Sequence, residues 1–559
     1  MKNDIHSVDR MFQNALQTHQ AGNVQQAKSL YLDIIKRDAN YADAYHLLGV
    51  IQAQQSQTDQ AIQNISHAIE LSACEFYYNS LGAVYLKEAQ IQKALFNLNK
   101  ALSTNDQYID AYNNLGQTLL IAGECEEAVH CFNKVISLNN QSPQLFSNYL
   151  TCLNYLPSIN HEEIYLAHQS FNNLFHSCRN YCRNQSMIVP KQSLRIGYVS
   201  PDFCRGSIAF FIEPILKNHD TSKFEIFCYA NISQPDDVTH RLQTHPIKWI
   251  DTNLMSDDQM AEKITHDRID ILVDLCGHFS KNRLPVFSRR PAPIQVTYLG
   301  YPNTTGLSCI QYRLTDAITD PPNRDPYHSE KLIRLPPPFL CYRPVENSPD
   351  VSSLPAETNG FVTLGSFNNL AKMNDNVISV WATILREVKH SKLLLKARPF
   401  IDSVTCKQFT KKFQQKGVSQ DQLIFKSYDD SIKSHLKGYH HIDLALDPFP
   451  YHGTTTTCDA LWMGVPVISL CGECHATRVG ATLLSSIGMH DFIAHSEQEY
   501  IAKTVSICQN KQLLKAVRCK LRSLMQESDL MNAKGLTQNL ESIYRKIWSD
   551  LCVTNGMHS

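Results

Sequence analysis

The feature that most constrains this chain is a repeat with a period near 34 residues, confined to the region before position 140. The segments YHLLGVIQAQQSQTDQAIQNISHAI, YNSLGAVYLKEAQIQKALFNLNKAL and YNNLGQTLLIAGECEEAVHCFNKVI occupy 45–69, 78–102 and 112–136. Each opens on an aromatic residue, places Leu-Gly three and four residues later, and sets an alanine twelve residues after the glycine. The pairs are Gly49 and Ala61, Gly82 and Ala94, and Gly116 and Ala128. Small residues at both positions let two antiparallel helices approach closely, so each unit reads as a helical hairpin. A weaker copy, AGNVQQAKSLYLDII, lacks Leu-Gly but keeps Ala27, 34 residues before Ala61. Hairpins repeated in register bury their apolar faces on one another and build a right-handed solenoid with a concave face.

The pattern matches the tetratricopeptide repeat, three copies clear and one weak, over residues 1–140. Such solenoids bind peptides or partner proteins and perform no chemistry themselves. Asn79, Asn113 and Asn114 either line the inner groove, where they would bond a peptide backbone, or belong to a solvated surface. Residues 141–190 keep a helical pattern broken by NYLPSIN and by the polar stretch from Asn180 to Asn184, and read as a helical cap and connector.

At 559 residues the chain is too long for one core. Lys plus Arg (52) nearly equals Asp plus Glu (53), with no long run of either sign, which argues against a nucleic-acid partner. No stretch approaches the roughly 18 apolar residues of a membrane span, and MKNDIHSVDRMFQ contains no signal-like apolar region. These features predict a soluble, unexported, cytoplasmic protein. The 18 cysteines are scattered, many within apolar runs. Cys471 and Cys474 form a CxxC with no second pair to complete a zinc site, so buried reduced thiols and no metal are expected.

After Lys191 short apolar runs alternate with amphipathic stretches. LRIGYVS, FEIFCYA, IDILVDLCG, IQVTYLG and YRLTDAI read as buried strands, and VTLGSF, KLLLKAR, LIFKSY, IDLALDPF and VPVISLCG as a second series. This alternation predicts parallel sheets covered on both faces. The fold class is therefore α plus α/β: a solenoid followed by two α/β lobes at 191–345 and 361–510. A Pro-rich linker over 346–360 joins the lobes, and a helical segment at 511–559 is long enough to pack across both.

In open α/β sheets, ligands bind at the carboxyl ends of the strands. The polar strings SPDFCRGS, GHFSKNR, GYPNTTG, SFNNLAK and PYHGTTTTCDA all fall there. In the last of them a strand runs through a tight turn at Gly453 into a helix. Thr454, Thr455, Thr456 and Thr457 thus lie where unpaired backbone N–H groups and the helix dipole favour a phosphate, with their hydroxyls adding donors and caps. Asp459, in the first turn, is placed to accept from ribose hydroxyls. Lys372 offers a cation against charge building on a leaving diphosphate, and His435 a ring to stack on a base.

Taken together, the repeats, SPDF, GH, RPAPIQVTYLGYPNTTG, FNNLAK and DPFPYHGTTTTCDALWMGVP resemble the protein O-linked N-acetylglucosamine transferases, in particular their SPINDLY-like and bacterial branch. The resemblance covers almost the whole chain. It implies two Rossmann-like lobes of the GT-B architecture and metal-independent, inverting transfer of a sugar from a nucleotide donor to Ser or Thr of proteins held by the repeats. It further implies that Lys372 stabilises the departing diphosphate, Asn369 reaches the donor, Thr455 and Thr456 hold the phosphates, Asp459 binds the ribose and His435 lies against the base. Gly300 to Pro302 would shape the sugar pocket.

Two departures stand out. The family histidine three residues after the Phe of SPDF is replaced by Gly206, which leaves His278, Asp202 or the donor phosphate to take the acceptor proton. Ala371 stands where many family members carry Tyr before the lysine. SPINDLY relatives include fucosyltransferases, so the expected donor is UDP-GlcNAc with GDP-fucose a close second. The alternative to an enzyme is a repeat scaffold that retains nucleotide-sugar binding without transfer.

Overall fold

The computed structural model describes residues 2–139, 141–176, 181, 188–429 and 431–556. The polar stretch between Asn180 and Asn184 lies outside the described residues, Tyr181 apart. Two compact units are present. One comprises Met1–Asn139 with Arg398–Gln408, the other Asn140–Ala397 with Phe409–Ser559.

In the first unit, helices run from Lys2–Gln20 to Cys125–Leu138 and pair as hairpins, among them Ala42–Gln54 with Thr58–Leu71 and Glu75–Lys87 with Ile91–Thr104. The repeat glycines sit where the paired helices nearly touch. A Cβ on Gly82 would stand 2.7 Å from Leu98, and one on Gly116 2.9 Å from Phe132. Ala61, Ala94 and Ala128 are fully buried. Successive hairpins are joined by bonds that keep the sequence period. Tyr77 Oη donates to Asp43 at 2.5 Å, and His46 Nε2 meets Ser80 Oγ at 2.8 Å, each pair 34 residues apart. Arg398–Gln408, which the sequence places in the second lobe, clusters with the repeats instead. Gln92 bonds there to Gln408 through its side chain at 3.1 Å and to Asp402 through its backbone N–H at 3.5 Å.

The second unit holds both sheets. The first has β1 (Leu194–Ser200), β2 (Phe224–Ala230), β3 (Lys248–Asp251), β4 (Ile271–Asp274), β5 (Ile294–Thr297), β6 (Tyr312–Asp316) and β7 (Lys331–Leu335), in the order β3-β2-β1-β4-β5-β6-β7. The second has β8 (Thr363–Ser366), β9 (Lys392–Lys396), β10 (Leu423–Lys426), β11 (Leu444–Leu446), β12 (Val467–Leu470) and β13 (Ile493–Ala494), in the order β10-β9-β8-β11-β12-β13. Every pairing is parallel. The order reverses between β1 and β4 in one sheet and between β8 and β11 in the other, and a reversal of this kind opens a crevice at the strand ends. Three strands escaped the sequence reading. β3 and β7 are edge strands only partly buried, so neither shows a continuous apolar run, and β13 is two residues long.

The lobes are tied by chain that crosses between them. The terminal helix Ala533–Gly556 packs on the first-lobe helix Ser207–Asn218. Tyr544 Oη lies 3.2 Å from Tyr198 Oη, and Glu541 bonds His219 Nδ1 at 3.0 Å. Ahead of the first sheet, the helices Pro143–Leu153 and His161–Phe175 pack against its loops. Among the described residues no helix is long and apolar enough to cross a membrane.

Candidate active site

The loops after β8 and β11 converge at the reversal point of the second sheet. After β8 the chain makes a 3-10 turn, Leu370–Lys372, which brings Lys372 Nζ to 2.7 Å from the carbonyl oxygen of His452. The same ammonium stands 4.3 Å over the Tyr451 ring. Among the described residues no carboxylate forms a salt bridge with it. Burial lowers its pKa to about 8, against the opposing field of Asp447.

Asp447, fully buried at the end of β11, organises the following loop. Its Oδ1 accepts from Gly453 N at 2.7 Å and its Oδ2 from Ser469 Oγ at 2.8 Å. A Cβ on Gly453 would lie 2.3 Å from Thr456 Oγ1, so the turn has room only for glycine. The helix Thr455–Trp462 begins two residues later.

The threonines differ from expectation. Thr454 occupies the N-cap without a side-chain cap bond. Thr456 Oγ1 donates to Asn368 Oδ1 at 3.1 Å, and Thr457 Oγ1 to Gly453 O at 3.1 Å. Thr455 Oγ1 is buried and has no partner among the described residues. A buried hydroxyl normally finds one, so this group is left for a ligand beside the free N–H groups of the first turn. Asp459 lies in the second turn rather than the first. It is 4 % exposed, accepting from Tyr342 Oη at 2.5 Å and facing His435 Nε2 at 3.7 Å.

His435 has ring neighbours Phe367 and Tyr439, and its Nδ1 is 3.1 Å from Lys396 Nζ. Lys396, at the end of β9, is buried and paired with Asp429. Asn369 is exposed and caps the 3-10 turn only through its backbone, while its neighbour Asn368 makes the link to Thr456.

The first lobe presents the loops after β1, β4 and β5. Asp202 is partly buried, which raises its pKa above the usual carboxylate value against the field of Lys281. Its carboxylate accepts no hydrogen bond from a described residue, and it can therefore take a proton from outside. His278 corrects the reading made from sequence. It is fully buried, its Nε2–H donates to Thr305 O at 2.8 Å, and its Nδ1 accepts from Ser147 Oγ at 3.0 Å. Burial pushes its pKa down. Both nitrogens are spent on structure, so the ring braces the loop and is not placed to act as a base. Gly300 packs so tightly that a Cβ would lie 2.0 Å from Leu275 O, and Pro302 is buried behind it. Gly206 is extended and open, with only Cys204 O near an added Cβ, at 3.9 Å.

Sequence reasoning missed Asn368, Lys396, Tyr451, His452 and Asp447. The first and last were legible as a doubled asparagine at a strand end and an aspartate closing an apolar run. Tyr451 and His452 owe their place to the approach of their loop to Lys372, and Lys396 to its position at the end of β9 beside His435.

Two parallel-sheet lobes in this strand order, with polar loops gathered at the reversal points, define a GT-B fold carried behind tetratricopeptide repeats. The sequence matches glycosyl transferase family 41 over 159–343 and 350–540, and tetratricopeptide repeats over 30–63 and 109–142. The chain belongs to that glycosyl transferase family. It is 39 % identical over 415 residues to the probable UDP-N-acetylglucosamine-peptide N-acetylglucosaminyltransferase SPINDLY of Solanum lycopersicum, covering 72 % of this chain and 44 % of that one. It is 34 % identical over 372 residues to the probable enzyme SEC of Arabidopsis thaliana, covering 64 % and 37 %. A mutant of Thermobaculum terrenum O-GlcNAc transferase superposes with a TM-score of 0.84 at 27 % identity, over 99 % of both chains. This chain spans less than half the length of the curated plant relatives it matches.

Proposed function

We propose that the protein is an inverting, metal-independent O-glycosyltransferase that moves a sugar from a nucleotide donor to Ser or Thr of proteins held by its repeats. The observation that carries this reading is that Lys372, a half-buried cation without a described carboxylate partner, bonds the loop leading into the helix Thr455–Trp462, whose Thr455 hydroxyl has no partner among the described residues. Both groups suit a diphosphate whose negative charge grows as the bond to the sugar breaks. The acceptor hydroxyl attacks the anomeric carbon from the face opposite the diphosphate. Its proton passes to Asp202, whose raised pKa makes it a stronger base than an exposed aspartate, or to a donor phosphate oxygen. Asp459 accepts from the ribose hydroxyls and His435 lies against the base.

UDP-GlcNAc is the first choice of donor, in keeping with the names of the relatives. The Lys396–Asp429 pair beside His435 favours a second reading, GDP-fucose, because guanine offers a carbonyl to an ammonium and two N–H donors to a carboxylate. A cytoplasmic setting suits the many buried thiols.

The test is incubation with UDP-GlcNAc and, separately, GDP-fucose, following nucleotide release and the mass of a Ser/Thr-rich acceptor mixture, with Lys372→Ala as control. A Lys372-dependent mass gain with one donor establishes transfer and names the sugar. Donor binding without mass gain or nucleotide release favours the scaffold instead, for which Gly206 is the motivation.

A further inference from the structure

His475 opens the 3-10 turn His475–Thr477 of the second lobe, yet its ring is buried against the first lobe, edge-on to Phe339. Its Nδ1 donates to Asp320 Oδ2 at 2.7 Å, and the Arg313 guanidinium approaches the same nitrogen at 3.5 Å. Thr315 Oγ1 also donates to Asp320 Oδ2, at 2.5 Å. Although burial works against its charge, His475, Arg313 and His328 hold the Asp320 carboxyl well below the usual carboxylate range. Two further bonds brace the contact, Arg478 Nε to Ile318 O at 2.6 Å and Thr482 Oγ1 to Asp316 Oδ2 at 2.7 Å.

This cluster reaches both halves of the candidate site. Toward the first lobe, Arg313 donates to the carbonyl oxygens of Tyr301 at 2.8 Å and Asn303 at 2.6 Å, gripping the loop assigned to the sugar. Toward the second, the residue after His475 accepts through its carbonyl from His452 N at 3.0 Å, and the His452 carbonyl accepts from Lys372 Nζ at 2.7 Å. Hydrogen bonds, with the charge attraction between Arg313 and Asp320 as the link at the centre, thus connect Tyr301 to Lys372. Such a line is stiff because its members are buried, and loss of one partner leaves another charge unpaired in a poorly hydrated site.

We propose that the Asp320–His475 pair, with Arg313, is a positioning strut that sets the separation between the 300–306 loop of the first lobe and Lys372 of the second. The proposal rests on the transfer reading for its consequence. An error of about 1 Å between sugar and leaving-group contacts costs on the order of a hundredfold in rate. The three residues act through the loops they hold, as positioning residues.

The test compares His475→Leu, which removes the donor, with His475→Asn, whose amide N–H replaces the one at Nδ1. Each full-length variant is assayed for kcat and KM of sugar transfer, for UDP and GDP affinity by calorimetry, and for hydrogen exchange at 299–306 and 450–457. His475→Leu is expected to lower kcat at least tenfold, to leave nucleotide Kd within threefold, and to speed exchange in both loops. His475→Asn is expected to recover most of the rate. Unchanged kcat with a lowered Tm, or equal loss in both variants, overturns the strut. Asp320→Asn keeps the shape while removing the charge, and carries the same test if His475→Leu does not fold. A wild-type protein that transfers no sugar defeats the transfer reading alone. Exchange then decides the strut, and unaltered rates in both loops overturn it.

Discussion

Lys372 carries its ammonium 4.3 Å over the ring of Tyr451, a residue of the loop that leads into the helix Thr455–Trp462. Aromatic face and carbonyl solvate the cation without neutralising it, so the charge stays available to an anion. Replacement by Ala is expected to lower kcat about 10²- to 10³-fold, the range for loss of one strong electrostatic contact in a transition state. Thermal unfolding should show an intact fold, and recovery of most of the rate in Lys372→Ala would remove this residue from the mechanism.

The pH profile follows from the same group. Only the protonated amine stabilises a leaving diphosphate, and with a pKa of about 8 in the free protein kcat/KM should fall as pH rises through that value. A bound diphosphate favours the charged form, so the corresponding limb in kcat should lie at higher pH. On the acid side, Asp202 titrates above the ordinary aspartate value, and kcat/KM should fall as it protonates. The stability term has the opposite sense. The unfolded chain binds more protons than the folded one between about pH 8 and 10.5, so the cost of burying the Lys372 charge is present below that window and is relieved as pH rises through it. Rate profiles and thermal unfolding across pH 6 to 10 check both signs.

Thr455→Val separates binding from stability. The substitution keeps the shape and deletes a buried hydroxyl that has no partner among the described residues. Melting of the free protein should be unchanged or slightly higher, while nucleoside diphosphate affinity should weaken by about three- to tenfold, near 1 kcal/mol. Equal affinity by calorimetry would place the phosphate elsewhere.

Gly206→His tests the missing family histidine directly. The backbone there is extended, an added Cβ finds only Cys204 O nearby, at 3.9 Å, and a cavity of about 230 Å³ opens beside it between Phe210, Arg343 and Ile432. The variant should fold normally. A large rise in kcat would show that the natural site lacks an acceptor-side group, and an unchanged rate would leave the proton to Asp202 or the donor phosphate.

The repeats were legible in the sequence because their contacts are periodic: Gly82 against Leu98 recurs as Gly116 against Phe132, and the bond from Tyr77 to Asp43 spans one period. Central strands were equally plain, since burial on both faces demands an unbroken apolar run. The threonines and Lys372 could be placed at a helix start and a strand end because backbone groups are left unpaired there, whereas Asp459 lies one turn further into its helix than the sequence suggested. What the sequence could not decide is which polar groups are already satisfied. His278 looked free to act as a base until Ser147 and Thr305, 131 and 27 residues away, took both its nitrogens. Likewise Thr455 differs from Thr456 and Thr457 because no acceptor among the described residues reaches it. His475 joins Asp320 across 155 residues for the same reason. Local pattern determined the elements and their polar ends, whereas the partners of buried polar atoms were set by packing between distant segments, which no local pattern encodes.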